Sequence, residues 1–172
     1  MNKIPRLFLL IFMFIGLSSC VNDDDPSKAW SLPIGSEMPS FDITLSDGTR
    51  VTDSDYEGKV AVIVLFNTSC PDCRAELPIV QEVSIMTDSD VSYLCIARQE
   101  DNETIARFWS ENSLTLPYSP QPDRHVYSLF AESVIPRVMI FNQSGTLSSS
   151  FADSPLPTAQ KLLESITIAS QQ

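Results

Sequence analysis

The sequence predicts an α/β fold with a central sheet flanked by helices. Segments rich in β-branched and apolar residues alternate with segments of helical periodicity, which predicts βαβ units, a parallel sheet and right-handed crossovers. Hydrophobic residues make up 43% of the chain and charged residues 19%, which is typical of a globular protein. The 172 residues suffice for one domain with a substantial core.

The N-terminus is typical of a secretory signal. Lys3 and Arg6 precede the apolar run Leu7–Leu17, which is too short to span a bilayer as a helix, since that needs about 20 residues. The "LSSC" that follows resembles the lipobox of bacterial lipoproteins, in which the signal is removed and the new terminal cysteine is acylated. We predict a signal peptide over 1–19 and lipidation of Cys20, which anchors the protein to a membrane.

The segment after the lipidated cysteine is acidic. We predict a flexible tether over 20–34 and a folded domain over 35–172. Val21 stands where an inner-membrane retention signal usually has aspartate, which favours the outer membrane on the periplasmic side of the envelope. The run Asp23–Asp25 weakly resembles the tag of surface-exported lipoproteins and leaves surface exposure open. Without the first nineteen residues the net charge is −13, which argues against nucleic-acid binding.

The first half of the predicted domain contains a hairpin, a strand and a helix. "SFDITLSDGTRV" alternates apolar and polar residues around Asp47-Gly48, the pattern of a β-hairpin. "KVAVIVLFN" is continuously apolar, which predicts a strand buried on both faces. The sequence then favours a helix from Pro71 to about Met86, kinked at Pro78. Its predicted inward-facing residues are Leu77, Val80, Val83 and Ile85.

The second half continues the alternation. "VSYLCIA" predicts a buried strand, in which Cys95 packs in the core, and "NETIARFWSEN" predicts a helix with Asn102 as N-cap. "PYSPQPD" predicts a proline-rich loop, and "RHVYSLFAE" a short helix with His125 on the surface. "RVMIFN" predicts a third strand that turns into "TLSSSF", and "PTAQKLLESITIA" predicts a final helix.

Cys70 and Cys73 lie at the predicted junction of strand and helix. A thiol at a helix N-terminus is stabilised as thiolate by the unpaired N–H groups and the helix dipole. Cys70 is therefore the candidate nucleophile and Cys73 the resolving thiol. Pro71 suits the first helical turn. Asp72 opposes the dipole and should raise the thiol pKa, which favours a reducing pair.

Three segments together resemble one family. "GKVAVIVLFNTSCPDCRAELP" contains the strand, the paired cysteines and the kink proline, "VIPRVMIFNQSG" a candidate cis-proline, and the stretch between them an extra helix and strand. From about Ile34 to Ile168 the chain resembles the TlpA/ResA group, membrane-tethered thiol-disulfide oxidoreductases outside the cytosol. The resemblance implies a thioredoxin-like fold with a central mixed sheet, an N-terminal β-hairpin and the inserted segment typical of this group.

The resemblance also implies roles for single residues. Pro136 would be the cis-proline that faces Cys70, and the backbone of Ile135 would pair with an extended substrate, in a site bordered by Pro71 and Asp72. Glu76 would relay protons to the buried thiol, with a solvated surface glutamate as the alternative. Ser69 replaces the tryptophan that usually precedes the first cysteine, which leaves partner choice open.

Other functions of the cysteine pair remain as alternatives. A structural disulfide is disfavoured because so small a loop restrains the unfolded chain little. Metal binding is disfavoured because one pair, one further cysteine and His125 are a poor ligand set. A thiol peroxidase lacks its motif here, since Asn67 and Ile63 replace the expected threonine and proline. A non-catalytic docking module remains the third class.

The resemblance implies further partners. Substrates would be protein thiols and disulfides, and a DsbD- or CcdA-like membrane protein would supply electrons to a reductant. Cytochrome c maturation is the best-known task of the group. We expect no cofactor, because electrons move through the sulfur atoms, and we expect a monomer.

Overall fold

The computed structural model describes residues 30–172, so the predicted signal peptide and Cys20 lie outside the described residues. Strands and helices follow one another in the predicted order. The strands are β1 (Asp42–Thr44), β2 (Arg50–Thr52), β3 (Val60–Phe66), β4 (Val91–Ala97), β5 (Tyr118–Ser119), β6 (Arg137–Phe141) and β7 (Leu147–Phe151). The helices are α1 (Pro71–Met86), α2 (Asn102–Glu111), α3 (Tyr127–Phe130) and α4 (Ala159–Ala169).

Five strands form a mixed sheet in the order β5-β4-β3-β6-β7. β3 pairs in parallel with β4, and β4 with β5, whereas β6 pairs antiparallel with both β3 and β7. The alternation of strands and helices predicts a parallel sheet, and this prediction is wrong for the half that contains β6 and β7. For β6 and β7 the reason is the short turn between them, since a parallel pair needs a crossover of a dozen or more residues. The mixed sheet that the family resemblance implied is confirmed.

The central strand explains where the cysteines lie. Every residue of β3 is buried, as its unbroken apolar sequence predicts for a strand covered on both faces. Because β3 and β4 are parallel, their carboxyl ends lie at one edge of the sheet, and antiparallel β6 begins at that same edge. The loops that contain Cys70, Arg98 and Pro136 therefore converge there.

Helix α1 follows the predicted bounds and continues through Pro78. Leu77, Val80 and Val83 are buried in the core, but Ile85 is 76% exposed, so the prediction that it faces inward is wrong. Each residue turns an α-helix by about 100°, so a side chain two positions after a buried one points away from the same face.

Two further details differ from the sequence predictions. The N-cap of α2 is Asp101 rather than Asn102, because the Asp101 carboxylate accepts a hydrogen bond from the Thr104 N–H at 2.9 Å. The predicted proline-rich loop contains β5, where Cys95 N–H donates to the Pro117 carbonyl at 2.9 Å. The inserted strand implied by the family resemblance is thus present, although it has only two residues.

The first described residues already lie against the domain. Ser31 pairs with Ala131, and Leu32 N–H donates to the Phe130 carbonyl at 2.8 Å. Part of the segment predicted as tether is therefore bonded to the fold. The hairpin of β1 and β2 follows as predicted, with Gly48 at φ 88° in its turn. Within residues 30–172, none of the helices combines the length and the apolar character that crossing a membrane requires.

Candidate active site

The first cysteine is presented by a tight turn before α1. Cys70 is the N-cap of α1 and is partly exposed, and its N–H donates to the Asn67 carbonyl at 3.1 Å. The Asn67 side chain accepts hydrogen bonds from the N–H and hydroxyl of Ser69, at 2.8 Å and 2.5 Å, and donates to the Arg98 carbonyl at 3.0 Å. The turn is therefore fixed to the end of β4.

A buried carboxylate anchors the same turn. The Thr68 N–H donates to one oxygen of Glu100 at 2.8 Å, and the Thr68 hydroxyl donates to the other. Both residues are less than 10% exposed. The sequence pattern does not indicate this role for Asn67, and it does not mark Thr68 or Glu100 as site residues. Their signal is weak, because only the presence of polar residues within three positions of the ends of two neighbouring strands could have indicated it.

The environment of Cys70 favours its thiolate. The pKa of Cys70 is lowered to about 6, chiefly because the Cys73 thiol donates a hydrogen bond to it, and also because the N–H groups of Cys73 and Asp72 point at it. The charge of Asp72 opposes this shift but is the smallest contribution. The charge of Asp72 thus raises the thiol pKa, as expected, but the hydrogen bonds to the Cys70 sulfur outweigh it and the net shift is downward.

The second cysteine is enclosed. Cys73 has no exposed surface, and this burial is the main reason why its pKa is raised far above the ordinary thiol value. Two groups lower the pKa of Cys73 instead. They are the Asn67 N–H, which points at the Cys73 sulfur, and the positive charge of Arg98. The two thiols thus differ in the way that a nucleophile and a protected resolving thiol require.

A cis peptide bond faces the first thiol. The Ile135–Pro136 bond is cis, as the resemblance implied. The Cys70 thiol donates to the Ile135 carbonyl, with 3.6 Å between sulfur and oxygen. In the described part of the chain the Ile135 N–H donates no hydrogen bond. Residues 65 positions apart in sequence are therefore brought into direct contact, and the residue whose carbonyl accepts from the thiol has, among the described residues, a free main-chain N–H as well.

Glu76 lies in the core. It has no exposed surface, and neither carboxylate oxygen has a hydrogen-bond partner among residues 30–172. Burial raises its pKa to about 7. The alternative of a solvated surface glutamate is therefore wrong. A carboxyl group that titrates near neutral pH can accept and return a proton under ordinary conditions.

Two of the remaining candidates, Cys95 and His125, fall outside this site. Cys95 is fully buried in β4, and burial raises its thiol pKa, as expected of a core residue. His125 is exposed in the turn before α3. In the described part of the chain no three His, Cys, Asp or Glu side chains are grouped to hold a metal ion. Pro71 and Asp72 are both exposed next to Cys70.

The fold and the paired thiols are those of the thioredoxin-like thiol-disulfide oxidoreductases. The chain belongs to the Redoxin family, whose model matches residues 33–163.

Individual relatives agree with this class. The chain is 32% identical over 107 residues to the thiol:disulfide interchange protein DsbE of Pseudomonas aeruginosa, covering 61% of this chain and 55% of that protein. It is 23% identical to the thiol-disulfide oxidoreductase ResA of Bacillus subtilis, covering 84% of each chain. A solution structure of a candidate protein disulfide isomerase from Bacteroides thetaiotaomicron superposes with a TM-score of 0.74 at 24% identity, over 82% of this chain and 92% of that one. This structural similarity to the Bacteroides thetaiotaomicron protein confirms the thioredoxin-like fold.

Proposed function

We propose that this protein exchanges thiols and disulfides with protein substrates outside the cytosol, and that it acts as a reductant through Cys70 and Cys73. One observation carries the proposed exchange, whereas the reducing direction rests on the charge of Asp72, which acts against the lowered pKa of Cys70. A partly exposed thiol with a lowered pKa lies between a buried second thiol and the carbonyl group before a cis-proline. A structural disulfide or a core cysteine needs none of these features.

The proposed reaction begins at Cys70. Its thiolate attacks one sulfur of a substrate disulfide, the substrate S–S bond breaks, and a mixed disulfide forms. The Cys73 sulfur then attacks Cys70, which releases the second substrate sulfur as a thiolate and closes a Cys70–Cys73 disulfide. Two electrons pass to the substrate, and the pair must be reduced again before the next turnover.

Main-chain groups would align the substrate. The Ile135 carbonyl lies beside the reacting sulfur, and the N–H of the same residue is unpaired within residues 30–172, so an extended substrate segment can add to these groups as a strand adds to a sheet edge. The carbonyl must first release the hydrogen bond from the Cys70 thiol. That bond breaks when Cys70 loses its proton, since a thiolate cannot donate.

Glu76 would manage the proton of the buried thiol. Cys73 has to lose a proton before it attacks, and its burial makes that loss costly. A carboxyl group with a pKa of about 7 is half ionised near neutral pH and can take the proton. Glu76 lies one helical turn after Cys73 on α1, which places both side chains toward the same region of the core.

The cellular setting completes the proposal. The signal-like N-terminus and Cys20 support export and lipid anchoring on the periplasmic side of the envelope, with the outer membrane favoured. A DsbD- or CcdA-like membrane donor would return the protein to its dithiol form. The electrons would move between sulfur atoms alone, so the reaction needs no bound cofactor.

The test is reduction of a disulfide-containing polypeptide by the chain from Val21 onward. We expect the wild type to reduce it with dithiothreitol as electron donor and Cys70→Ser to be inactive, while Cys95→Ser keeps full activity. Consumption of hydrogen peroxide faster than of the polypeptide disulfide would support the thiol peroxidase instead. Equal binding of a partner by wild type and Cys70→Ser, with no exchange by either, would support the docking module.

A further inference from the structure

Arg98 is a buried arginine to which the proposed reaction assigns no role. It directly follows β4 and is 7% exposed. Its N–H donates to the Phe66 carbonyl at 2.7 Å, and its carbonyl accepts from the Asn67 side chain at 3.0 Å. Its main chain is thus bonded to the two residues that lead from β3 toward Cys70.

The side chain of Arg98 reaches the other half of the site. Its guanidinium group lies over the ring of Tyr127, 5.4 Å from the ring centroid. The Tyr127 hydroxyl donates to the Val134 carbonyl at 3.3 Å, and Val134 immediately precedes Ile135. Arg98 is therefore bonded directly to the cysteine loop and is linked to the cis-proline loop through Tyr127.

This position brings a permanent positive charge to the resolving thiol. The guanidinium attracts negative charge on the Cys73 sulfur, and the Asn67 N–H points at the same sulfur. Arginine stays protonated at any ordinary pH, so its charge does not depend on the state of the thiols. This attraction is the smallest of the influences on the Cys73 pKa, but it acts on a sulfur with no exposed surface, where charge is screened less than in water.

We propose that Arg98 is a positioning residue for the resolving step, where it stabilises the negative charge on the Cys73 sulfur as that sulfur attacks the mixed disulfide. The inference rests on the proposed thiol-disulfide exchange. In this step the Cys73 proton passes to Glu76 or to water, the bond between Cys70 and the substrate sulfur breaks, and the Cys70–Cys73 bond forms. The substrate sulfur leaves with the electron pair and takes a proton from water.

A chromogenic disulfide separates this step from the first attack. The reduced protein is mixed with excess 5,5′-dithiobis(2-nitrobenzoate) at pH 7, and each protein releases two coloured thiolates. The first release reports the attack by Cys70, and the second reports its displacement by Cys73. We expect Arg98→Gln to slow the second release about three- to tenfold and to leave the first unchanged. A thiol whose pKa rises by one unit has about tenfold less thiolate, which its greater nucleophilicity partly offsets.

Matched variants isolate the charge. Arg98→Lys keeps the positive charge and should restore most of the rate of the second release. Arg98→Met keeps an unbranched chain over Tyr127 and provides a second uncharged variant if the glutamine variant does not fold. Arg107→Gln removes an exposed arginine of α2 and should change neither rate.

Two results would overturn the role of Arg98, namely an unchanged second release in the uncharged variants or an equal slowing of both releases. A different result is expected if the proposed thiol-disulfide exchange itself is wrong. In that case the wild type itself would release no second thiolate after the first.

Discussion

Replacing Glu76 by glutamine should stabilise the reduced protein in a pH-dependent way. The folded pKa of Glu76 is about 7 against an ordinary value of 4.5, so the folded protein holds this proton more tightly than the unfolded chain does. The wild type therefore has its full stability, as far as this group is concerned, below pH 4.5. It loses stability as pH rises toward 7, because the unfolded chain ionises freely while the folded one does not.

The magnitude follows from the same shift. A rise of about 2.5 units corresponds to about 3 kcal/mol of free energy of unfolding, as an upper limit. Glutamine stays neutral, so its unpaired amide shifts stability by an amount that does not vary with pH. The difference in unfolding free energy between Glu76→Gln and wild type should be flat below pH 4.5, rise by up to about 3 kcal/mol, and level off above pH 7.

The assay is urea unfolding of the chain from Val21 onward at half-unit steps from pH 4 to pH 8, with both thiols kept reduced. The titration of Cys70 is common to both proteins and cancels in the difference. Glu82→Gln, an exposed glutamate on the same helix, is the matched control and should give no pH-dependent difference. If the difference in unfolding free energy between Glu76→Gln and wild type did not change with pH, the argument would be refuted. That result would mean that Glu76 has the same pKa in the folded and unfolded protein.

Three further predictions follow from the site and the core. Cys73→Ser should accumulate a mixed disulfide with the polypeptide substrate, visible on non-reducing gels, whereas adding Cys70→Ser should abolish it. Alkylation of Cys70 by iodoacetamide in the reduced protein should reach half its maximal rate near pH 6, and a midpoint near that of a free thiol would contradict the hydrogen bond from Cys73. Leu77→Ala, at a fully buried position of α1, should lower the free energy of unfolding by about 2–5 kcal/mol in chemical denaturation, and a loss under 1 kcal/mol would contradict its place in the core.

The sequence predicts the parts of this fold that depend on local patterns. The unbroken apolar run of β3 and the apolar spacing of α1 both match the structure, because burial on two faces or on one face leaves a distinct period in the sequence. The paired cysteines at the junction of these two elements followed from the same local information. Ile85 shows the limit of such patterns, since it is apolar but lies two residues after buried Val83 and so points away from the buried face.

Properties that depend on contacts distant in sequence could not be predicted from the residues. The short strand β5 forms because its edge pairs with β4, and not because of its own proline-rich composition. The sign of the Cys70 pKa shift depends on the hydrogen bond from Cys73, which outweighs the nearby charge of Asp72. The burial of Glu76 likewise depends on what packs around α1, and its local sequence fits a surface position equally well.

The reduction potential of the Cys70–Cys73 pair tests the central claim most directly. It can be measured by equilibrating the chain from Val21 onward with glutathione or dithiothreitol buffers and trapping the free thiols. We predict a reversible two-electron couple near or below the potential of thioredoxin, about −270 mV. A potential near −120 mV, as in a strong oxidant, would contradict the reductant role and make the protein a disulfide donor, and the absence of any reversible couple would contradict exchange itself.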